Sequence, residues 1–349
     1  MFTAFYNLTG RPFQLSPDPR FFFGSRSHKK AMAYLTYGLN QGEGFIIVTG
    51  DIGAGKTTLV GHLLSQLDSQ KYIAAQVVTT QIDADDTLRM VASAFDISQE
   101  SRDKATLLRE IEGFLVASHG AGKRVLLIID EVQNLPPASL EELRMLSNFQ
   151  VRENPVLQCY LLGQPQFRRT LASHALEQLR QRVIASYHLE PLDAEETRAY
   201  IEHRLRMVGW KNDPGFADGA FDAIHAYTRG VPRRINTLCS RLLLFGFLEE
   251  KHEVDKGVVE EVIHDLDQEG AHGDIDKTIA TAAPMILSEE TPAETKAVNG
   301  EFEQLFSRVE VLERYVKAHE RTIKRALEIA AEYLDGTAEE ESDTDAGRR

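Results

Sequence analysis

One short run constrains this chain more than any other, the sequence GFIIVTGDIGAGKTTLVGHLL over residues 44–64. An apolar, strand-like stretch leads into a glycine-rich loop, and a helix-like stretch follows. The loop matches the pattern G-x-x-x-x-G-K-[ST] at Gly50, Gly55, Lys56 and Thr57. Glycines allow backbone N–H groups to curl around phosphates, and a helix N-terminus adds partial positive charge. The run therefore predicts a phosphate-binding loop that holds a nucleotide.

Each position of this loop has an expected role. Lys56 is expected to reach the β- and γ-phosphates, and the Thr57 hydroxyl is expected to ligate Mg²⁺. Thr58 is expected to support the loop or the helix. Because the loop does not follow the spacing G-x-G-x-x-G, a nicotinamide-binding site is excluded. With ATP and Mg²⁺ as the expected ligands, the predicted binding residues are Gly50, Asp51, Ile52, Gly53, Ala54, Gly55, Lys56, Thr57 and Thr58.

A second motif, RVLLIIDEVQNL, supplies the carboxylates that hydrolysis needs. Apolar residues 126–129 predict a buried strand that delivers Asp130 and Glu131 at its carboxyl end, where open parallel sheets bind ligands. Asp130 is expected to hold Mg²⁺ through water. Glu131 is expected to orient and deprotonate the attacking water. An acidic pair after a strand is also common as ordinary solvated charge, so this interpretation depends on the preceding loop.

Strand-like and helix-like runs alternate between residues 44 and 192. Several strand-like runs are almost continuously apolar, as expected for a parallel sheet that is buried on both faces. The predicted strands are 44–50, 72–80, 124–130, 156–163 and 183–189. The predicted helices are 56–69, 84–95, 102–119 and 138–149. This alternation predicts an α/β fold with a five-stranded parallel sheet and right-handed crossovers.

After residue 192 the pattern becomes helical. Asp193 followed by Glu196 is a plausible helix start, and Pro232 fits the first turn of a later helix. The predicted helices are 193–208, 216–228, 232–250 and 255–268. They indicate a compact, all-helical second domain.

The chain divides into six predicted segments. They are an N-terminal segment near the nucleotide (1–43), a P-loop core (44–192), a helical lid (193–268), a linker (269–300), a coiled-coil helix (301–335) and a disordered acidic tail (336–349). Apolar residues spaced by seven, such as Phe302, Val309 and Val316, predict the coiled coil. This helix is expected to self-associate; the alternatives are packing on the chain's own body and binding another partner.

Composition narrows the functional classes. The formal net charge is −14 and most of it comes from residues after 266, so no strong basic field favours nucleic acid. No apolar run approaches the roughly 20 residues of a membrane helix, and the N-terminus lacks the pattern of a secretory signal. The two cysteines, Cys159 and Cys239, form no metal-ligand spacing. A cytoplasmic location follows as the expectation, either free or peripheral at the inner membrane.

Taken together, the motifs resemble those of AAA+ ATPases. The P-loop, LLIIDE, a later strand that ends in GQP, and the lid sequence GVPRRIN occur in the expected order. The segment YNLTGRPFQLSPDPRFFFGSRSHKKAMAYLTYGL is similar to the N-terminal signature of ExeA-like ATPases of bacterial secretion systems. The resemblance covers residues 1–268. The overall layout is most similar to the stand-alone ATPases associated with exosortase (PEP-CTERM) and exopolysaccharide loci.

This resemblance implies roles for several further residues. Gln164 matches the sensor-1 position, where a polar side chain reads the γ-phosphate; the alternative is a turn residue before a proline. Arg182 matches the arginine finger that enters a neighbour's site, with Arg180 as the second choice. Arg233 matches sensor 2, with Arg234 as the alternate.

The N-terminal signature implies a further contact with the nucleotide. Residues around Pro12, Phe13 and 19–23 are expected to lie near the adenine. The three consecutive phenylalanines in this stretch are equally consistent with plain packing.

The expected function is Mg²⁺-dependent ATP hydrolysis that drives assembly or regulation of a bacterial cell-envelope export or exopolysaccharide system. The expected partners are other copies of the chain and a membrane-bound export or polysaccharide-synthesis protein. A DNA-associated ATPase of the transposition or helicase-loader type is the alternative, although the acidic charge argues against it. A third hypothesis is a scaffold that binds nucleotide without hydrolysing it, and Glu131 argues against that.

Overall fold

The computed structural model describes residues 2–16, 18–78, 84–97 and 103–268. All of them belong to one compact unit that is delimited at Met1–Ile275. The predicted linker, coiled coil and acidic tail lie outside the described residues. The six-segment division remains a prediction.

Five parallel strands form the central sheet, as the sequence predicts. They pair in the order β2–β3–β4–β1–β5. Because all five run in the same direction, their carboxyl ends meet at one edge of the sheet. The strands are β1 (Phe45–Gly50), β2 (Tyr72–Val78), β3 (Arg124–Asp130), β4 (Leu157–Gly163) and β5 (Val183–Leu189).

Helices cover both faces of this sheet. Successive strand residues point to opposite faces, so Ile47 and Ile129 pack in one hydrophobic cluster while Ile46 and Ile128 pack in another. This double burial explains the nearly continuous apolar strands. The helices of this part are α1 (Arg26–Gln41), α2 (Lys56–Gln66), α3 (Ala84–Ala94), α4 (Lys104–Gly120), α5 (Pro137–Leu146), α6 (Gln166–Leu171) and α7 (Glu177–Arg180).

The structure differs from the prediction between β3 and β4. The predicted helix 138–149 ends at Leu146, and a short antiparallel hairpin follows, formed by Gln150–Val151 and Asn154–Pro155. The turn residues Arg152 and Glu153 both have positive φ angles, 51° and 69°. Neither is a glycine or an asparagine, so the sequence carries no strong signal for this turn.

Four helices follow the sheet. They pack around one hydrophobic cluster that contains Ile201, Leu238 and Leu242. Two N-terminal residues, Tyr6 and Phe13, belong to the same cluster. One pair of two-residue strands, Gly215–Phe216 and Glu253–Val254, interrupts the predicted all-helical pattern. The helices are α8 (Ala194–Arg206), α9 (Asp218–Thr228), α10 (Pro232–Leu248) and α11 (256–268).

The start of α8 confirms the predicted capping pair and adds a contact to α1. Asp193 accepts a hydrogen bond from the Glu196 backbone N–H at 2.8 Å, and Glu196 accepts one from Asp193 N–H at 3.4 Å. The Glu196 carboxylate also accepts from the Arg26 backbone N–H at 2.7 Å. The first turn of α1 is thereby bonded to the first turn of α8.

Helix α1 carries a buried histidine in its first turn. Ser25 caps the helix by accepting a hydrogen bond from the His28 backbone N–H at 3.2 Å. The His28 side chain is 6% exposed. Burial lowers its pKa from 6.5 to about 4, outweighing a hydrogen bond with the Ala54 backbone and the attraction of Glu196.

This shift predicts a pH-dependent loss of stability. Between pH 6.5 and 4 the unfolded chain binds a proton at His28 that the folded chain does not, so stability falls as the pH decreases through this window. The loss from this residue is about 3 kcal/mol at pH 4. Urea unfolding gives the free energy of unfolding of the wild type and of His28→Gln at pH 7 and at pH 4. The difference between the two proteins should change by this amount between the two pH values. A difference that stays constant between the two pH values would contradict the assignment.

Candidate nucleotide-binding and hydrolysis site

The glycine-rich loop connects the carboxyl end of β1 to the first turn of α2. Gly53 and Gly55 have φ angles of 82° and 96°, in the left-handed region that favours glycine. Gly55 is the N-cap of α2 and offers no side-chain cap, so the first N–H groups of this helix are open to a ligand. The loop therefore has the geometry of an anion-binding turn.

Lys56 is folded back onto the loop. Its Nζ donates to the carbonyl oxygens of Gly50 at 2.8 Å and Asp51 at 3.0 Å. Burial lowers the pKa of Lys56, while the nearby carboxylates of Glu131, Asp130 and Asp51 act in the opposite direction. The ammonium group is thus held within the loop by two acceptors that a phosphate oxygen can replace.

The nine loop residues differ in whether they line the pocket. Six of them line one open pocket, and these are Ile52, Gly53, Gly55, Lys56, Thr57 and Thr58. Gly50 and Asp51 contribute through their carbonyl contacts with Lys56. Ala54 is 2% exposed and its methyl group packs in the hydrophobic core beneath the loop.

Thr57 and Asp130 meet at the edge of this pocket. The Thr57 hydroxyl donates to Asp130 Oδ2 at 2.6 Å, although 73 positions separate the two residues. Asp130 is 2% exposed, and its Oδ1 accepts from the Glu131 backbone N–H at 2.9 Å. A hydroxyl and a carboxylate are oxygen ligands of the kind that Mg²⁺ prefers. The pair therefore fits the predicted magnesium role.

No other metal site competes with this pair in the part of the chain that the structure describes. Residues 2–16, 18–78, 84–97 and 103–268 contain no cluster of three His, Cys, Asp or Glu side chains that could hold a metal ion. Binding of Mg²⁺ at Thr57 and Asp130 would depend on phosphate oxygens and water for the other ligands.

Glu131 is held by two glutamines at the carboxyl edge of the sheet. Its Oε2 accepts from Gln133 Nε2 at 2.5 Å and from Gln164 Nε2 at 3.2 Å. Gln133 Oε1 in turn accepts from the Gln164 backbone N–H at 2.9 Å. The structure thus brings the predicted base and the predicted sensor together. Gln133 was missed by the sequence analysis, and its position two residues after Glu131 was the signal that could have found it.

Arg233 approaches the loop from the first turn of α10. Its backbone N–H donates to the Gly53 carbonyl at 3.2 Å, and the residue lines the same pocket. The alternate residue, Arg234, stacks its guanidinium over the Tyr227 ring at 5.4 Å. Of the two arginines, Arg233 is the one in position to contact a bound nucleotide.

Arg182 and Arg180 lie at the opposite edge of the sheet. The Arg182 carbonyl accepts from the N–H of Phe45, the first residue of β1, whereas the loop follows the last residue of this strand. The length of β1 separates the two edges by about 16 Å. The Arg182 guanidinium donates to the Ser147 hydroxyl at 3.0 Å, and Arg180 is exposed. Neither is placed to act on the site of its own chain.

Aromatic side chains form the other half of the pocket. Phe21, Phe22 and Phe23 line it together with Tyr200 of α8. Three of the residues 19–23 thus line the same pocket as the loop, and their contact with the base stays a prediction. Phe13 departs from that expectation, because it is 3% exposed and packs among the helices after β5.

Arg204 is a further residue that the sequence analysis missed. It is 6% exposed and lines the pocket, and its Nε donates to the Pro12 carbonyl at 2.6 Å. Its Nη1 donates to the Tyr200 hydroxyl at 2.9 Å, and its guanidinium lies 4.7 Å from the Phe21 ring centroid. Arg204 thereby fastens the N-terminal segment to α8. No short-range pattern in the sequence marks this long-range contact.

The contact between Gly53 and Arg233 gives a first test of the site. In Gly53→Ala, the new Cβ would lie 2.3 Å from the Arg233 Cβ, and the φ angle of 82° would be strained. We expect a loss of about 1–2 kcal/mol from the strained conformation alone, with weaker ATP binding measured by calorimetry.

Gly61→Ala, in the middle of α2, is the matched control. Its Cβ would meet Pro19 Cγ at an ordinary 3.5 Å, so the variant should gain about 0.5–1 kcal/mol and keep ATP affinity. Equal behaviour of the two variants would contradict the tight approach of Arg233 to the loop.

Comparisons with known proteins agree with this geometry. The family model described as "AAA domain" matches residues 39–171. General secretion pathway protein A of Aeromonas hydrophila is 37% identical over 258 residues, which are 74% of this chain and 47% of that protein. The chain thus spans about half the length of the curated relative that it matches.

Two solved structures show the same fold at low sequence identity. The Aeropyrum pernix ORC2 protein, in ADPNP and ADP complexes, has a TM-score of 0.57 at 14% identity and covers 73% of this chain and 71% of its own. Drosophila ORC bound to DNA has a TM-score of 0.55 at 14% identity and covers 76% and 65%. With its sheet order, loop and acidic pair, the described part of the chain has the P-loop NTPase fold, with a match to the AAA domain over residues 39–171 and a similarity to general secretion pathway protein A.

Proposed function

We propose that this chain hydrolyses ATP in a Mg²⁺-dependent reaction at the pocket between the glycine-rich loop and α10. The observation that carries the proposal is the 2.6 Å hydrogen bond between Thr57 and Asp130, with Glu131 next in sequence. It joins the loop that binds phosphates to the strand that carries the carboxylates. Nucleotide binding and water activation would therefore occur within one site.

The residues of the site can divide the work as follows. Lys56 would exchange its two carbonyl acceptors for phosphate oxygens, and the N–H groups at the start of α2 would bind the same phosphates. Bound Mg²⁺, held by Thr57 and Asp130, would neutralise charge on the phosphates. Glu131, oriented by Gln133 and Gln164, would accept a proton from the attacking water.

The position of Arg233 supports a role for α10 in the reaction cycle. Its guanidinium would contact the γ-phosphate within the pocket that Lys56 also lines. Loss of that phosphate would remove a charge-assisted contact between α10 and the ligand. We infer that hydrolysis thereby changes how firmly the helices after β5 are held against the loop.

We further propose that this ATPase serves a cell-envelope export system of the exosortase or exopolysaccharide type. The identity to general secretion pathway protein A supports a secretion role, and the overall layout of the sequence supports the narrower one. Within residues 2–16, 18–78, 84–97 and 103–268, no helix has the length and apolarity required to cross a bilayer. The proposed location is cytoplasmic, at or near the inner membrane, with an envelope protein as partner.

Self-association is part of the proposal. The opposite placement of the loop and of Arg182 supports an assembly in which one copy completes the site of the next. The heptad positions in 301–335, outside the described residues, are proposed to add to it. DNA is not part of the proposal, because the chain carries a net charge of −14.

The role of Glu131 predicts a separation of binding from turnover. Glu131→Gln removes the proton acceptor but keeps the shape and an oxygen that can still accept hydrogen bonds from Gln133 and Gln164. We expect ATP affinity within about threefold and a fall in kcat of about 10²–10⁴-fold, measured by calorimetry and phosphate release. A matched variant, Glu142→Gln, alters an exposed ion pair with Lys104 and should leave both quantities unchanged. Full turnover in Glu131→Gln would contradict the assignment.

The trans arginine predicts complementation between two inactive variants. Arg182→Ala should bind ATP but lose about 10³-fold in kcat, and Lys56→Ala should fail to bind ATP. Mixing them should restore turnover, because the Lys56→Ala copy still offers its arginine to the intact site of its neighbour. Arg180→Ala is the matched control and should remain active. If Arg180→Ala loses turnover while Arg182→Ala keeps it, the assignment to Arg182 is wrong.

A further inference from the structure

His28 lies directly against the glycine-rich loop, far from it in sequence. It lines the nucleotide pocket, and the backbone of Ala54 acts to raise the pKa of its ring. A Cβ placed on Gly55 would lie 2.9 Å from His28 Nε2. The ring therefore fills the space above Gly55, and the absence of a side chain at Gly55 is required by this contact as well as by its φ angle.

Neighbouring groups fix which ring nitrogen carries the proton. Ser25 Oγ lies 2.7 Å from His28 Nδ1, and the same oxygen already accepts from the His28 backbone N–H. The serine hydroxyl can therefore donate to Nδ1, which leaves the proton of the neutral ring on Nε2. Because Nε2 approaches the loop at Gly55, its N–H is available to the neighbouring Ala54 carbonyl oxygen. Burial keeps the ring neutral.

This hydrogen bond acts on the peptide unit that joins Ala54 to Gly55. The unit is planar, so its carbonyl and the Gly55 N–H point in opposite directions. A donor that binds the Ala54 carbonyl therefore also fixes the direction of the Gly55 N–H. The loop needs such support, because two of its residues are glycines in the left-handed region and α2 has no side-chain cap.

We propose that His28 is a positioning residue of the phosphate-binding loop: its neutral imidazole, oriented by Ser25, holds the Ala54–Gly55 peptide in the orientation that binds phosphate. The inference rests on the proposed function, because it takes the loop to be the ATP site. It adds a residue that the loop motif does not contain. The Phe22 ring packs edge-on against the imidazole, with the two ring centroids 5.9 Å apart, and restricts the movement of the imidazole.

Two substitutions at His28 separate the hydrogen bond from packing. His28→Leu fills the space without a hydrogen-bond donor, whereas His28→Gln can place an amide N–H where the imidazole Nε2–H lies. The control is His62→Leu, since His62 stacks on Phe22 at 4.1 Å but does not line the pocket. The probes are ATP and inorganic tripolyphosphate, measured by calorimetry in the full chain.

We expect His28→Leu to weaken the binding of both ATP and tripolyphosphate about tenfold and to raise KM with little change in kcat. His28→Gln should restore both affinities to within about threefold of the wild type, and His62→Leu should leave them unchanged. Equal losses in His28→Leu and His28→Gln, or no loss in either, would overturn the proposal. Failure of the wild type to bind ATP would instead overturn the proposed function.

A spectroscopic measurement tests the same proposal without a substitution. The ¹⁵N signals of His28 should show a protonated Nε2 and an unprotonated Nδ1 at pH 7. The opposite tautomer would place no donor toward Ala54 and would overturn the proposal even if His28→Leu failed to fold.

Discussion

The parallel direction of the five strands is the constraint on which the site depends. It places the loop after β1, Asp130 at the end of β3 and Gln164 after β4 on one edge of the sheet. Residues separated by 73 positions can then form a 2.6 Å hydrogen bond, as Thr57 and Asp130 do. An antiparallel neighbour would move its residues to the other edge. Strand direction alone therefore brings the residues of the site to the same end of the sheet.

The loop itself is not held by regular secondary structure. Its two glycines with positive φ angles allow the turn but do not stabilise it. Contacts from outside the motif supply that stability: His28 packs against Gly55 from α1, and Arg233 packs against Gly53 from α10. The shape of the phosphate site is therefore shared between three parts of the chain that are distant in sequence.

Much of this fold could be predicted from the sequence, since its signals are local. The nearly continuous apolar residues of β1 and β3 indicate strands that are buried on both faces, and the loop motif marks the point where β1 passes into α2. The capping pair Asp193 and Glu196 was likewise predicted, because both partners lie within one helical turn.

The contacts that could not be predicted join residues distant in sequence or lack a distinctive residue type. Arg204 meets Pro12 across 192 positions, and His28 meets the Ala54 backbone. No pattern of residue types records either contact. The hairpin after α5 was missed because Arg152 and Glu153 are unusual residues for positive φ angles.

The bond between the first turns of α1 and α8 has a mechanical consequence. Glu196 accepts from the Arg26 backbone only two positions before His28, and it is also part of the cap of α8. If α8 moves away from α1, either this hydrogen bond breaks or the first turn of α1 moves with α8. Through Glu196 and the ion pair between Arg26 and Asp193, a displacement of α8 would be transmitted to a point two residues before His28.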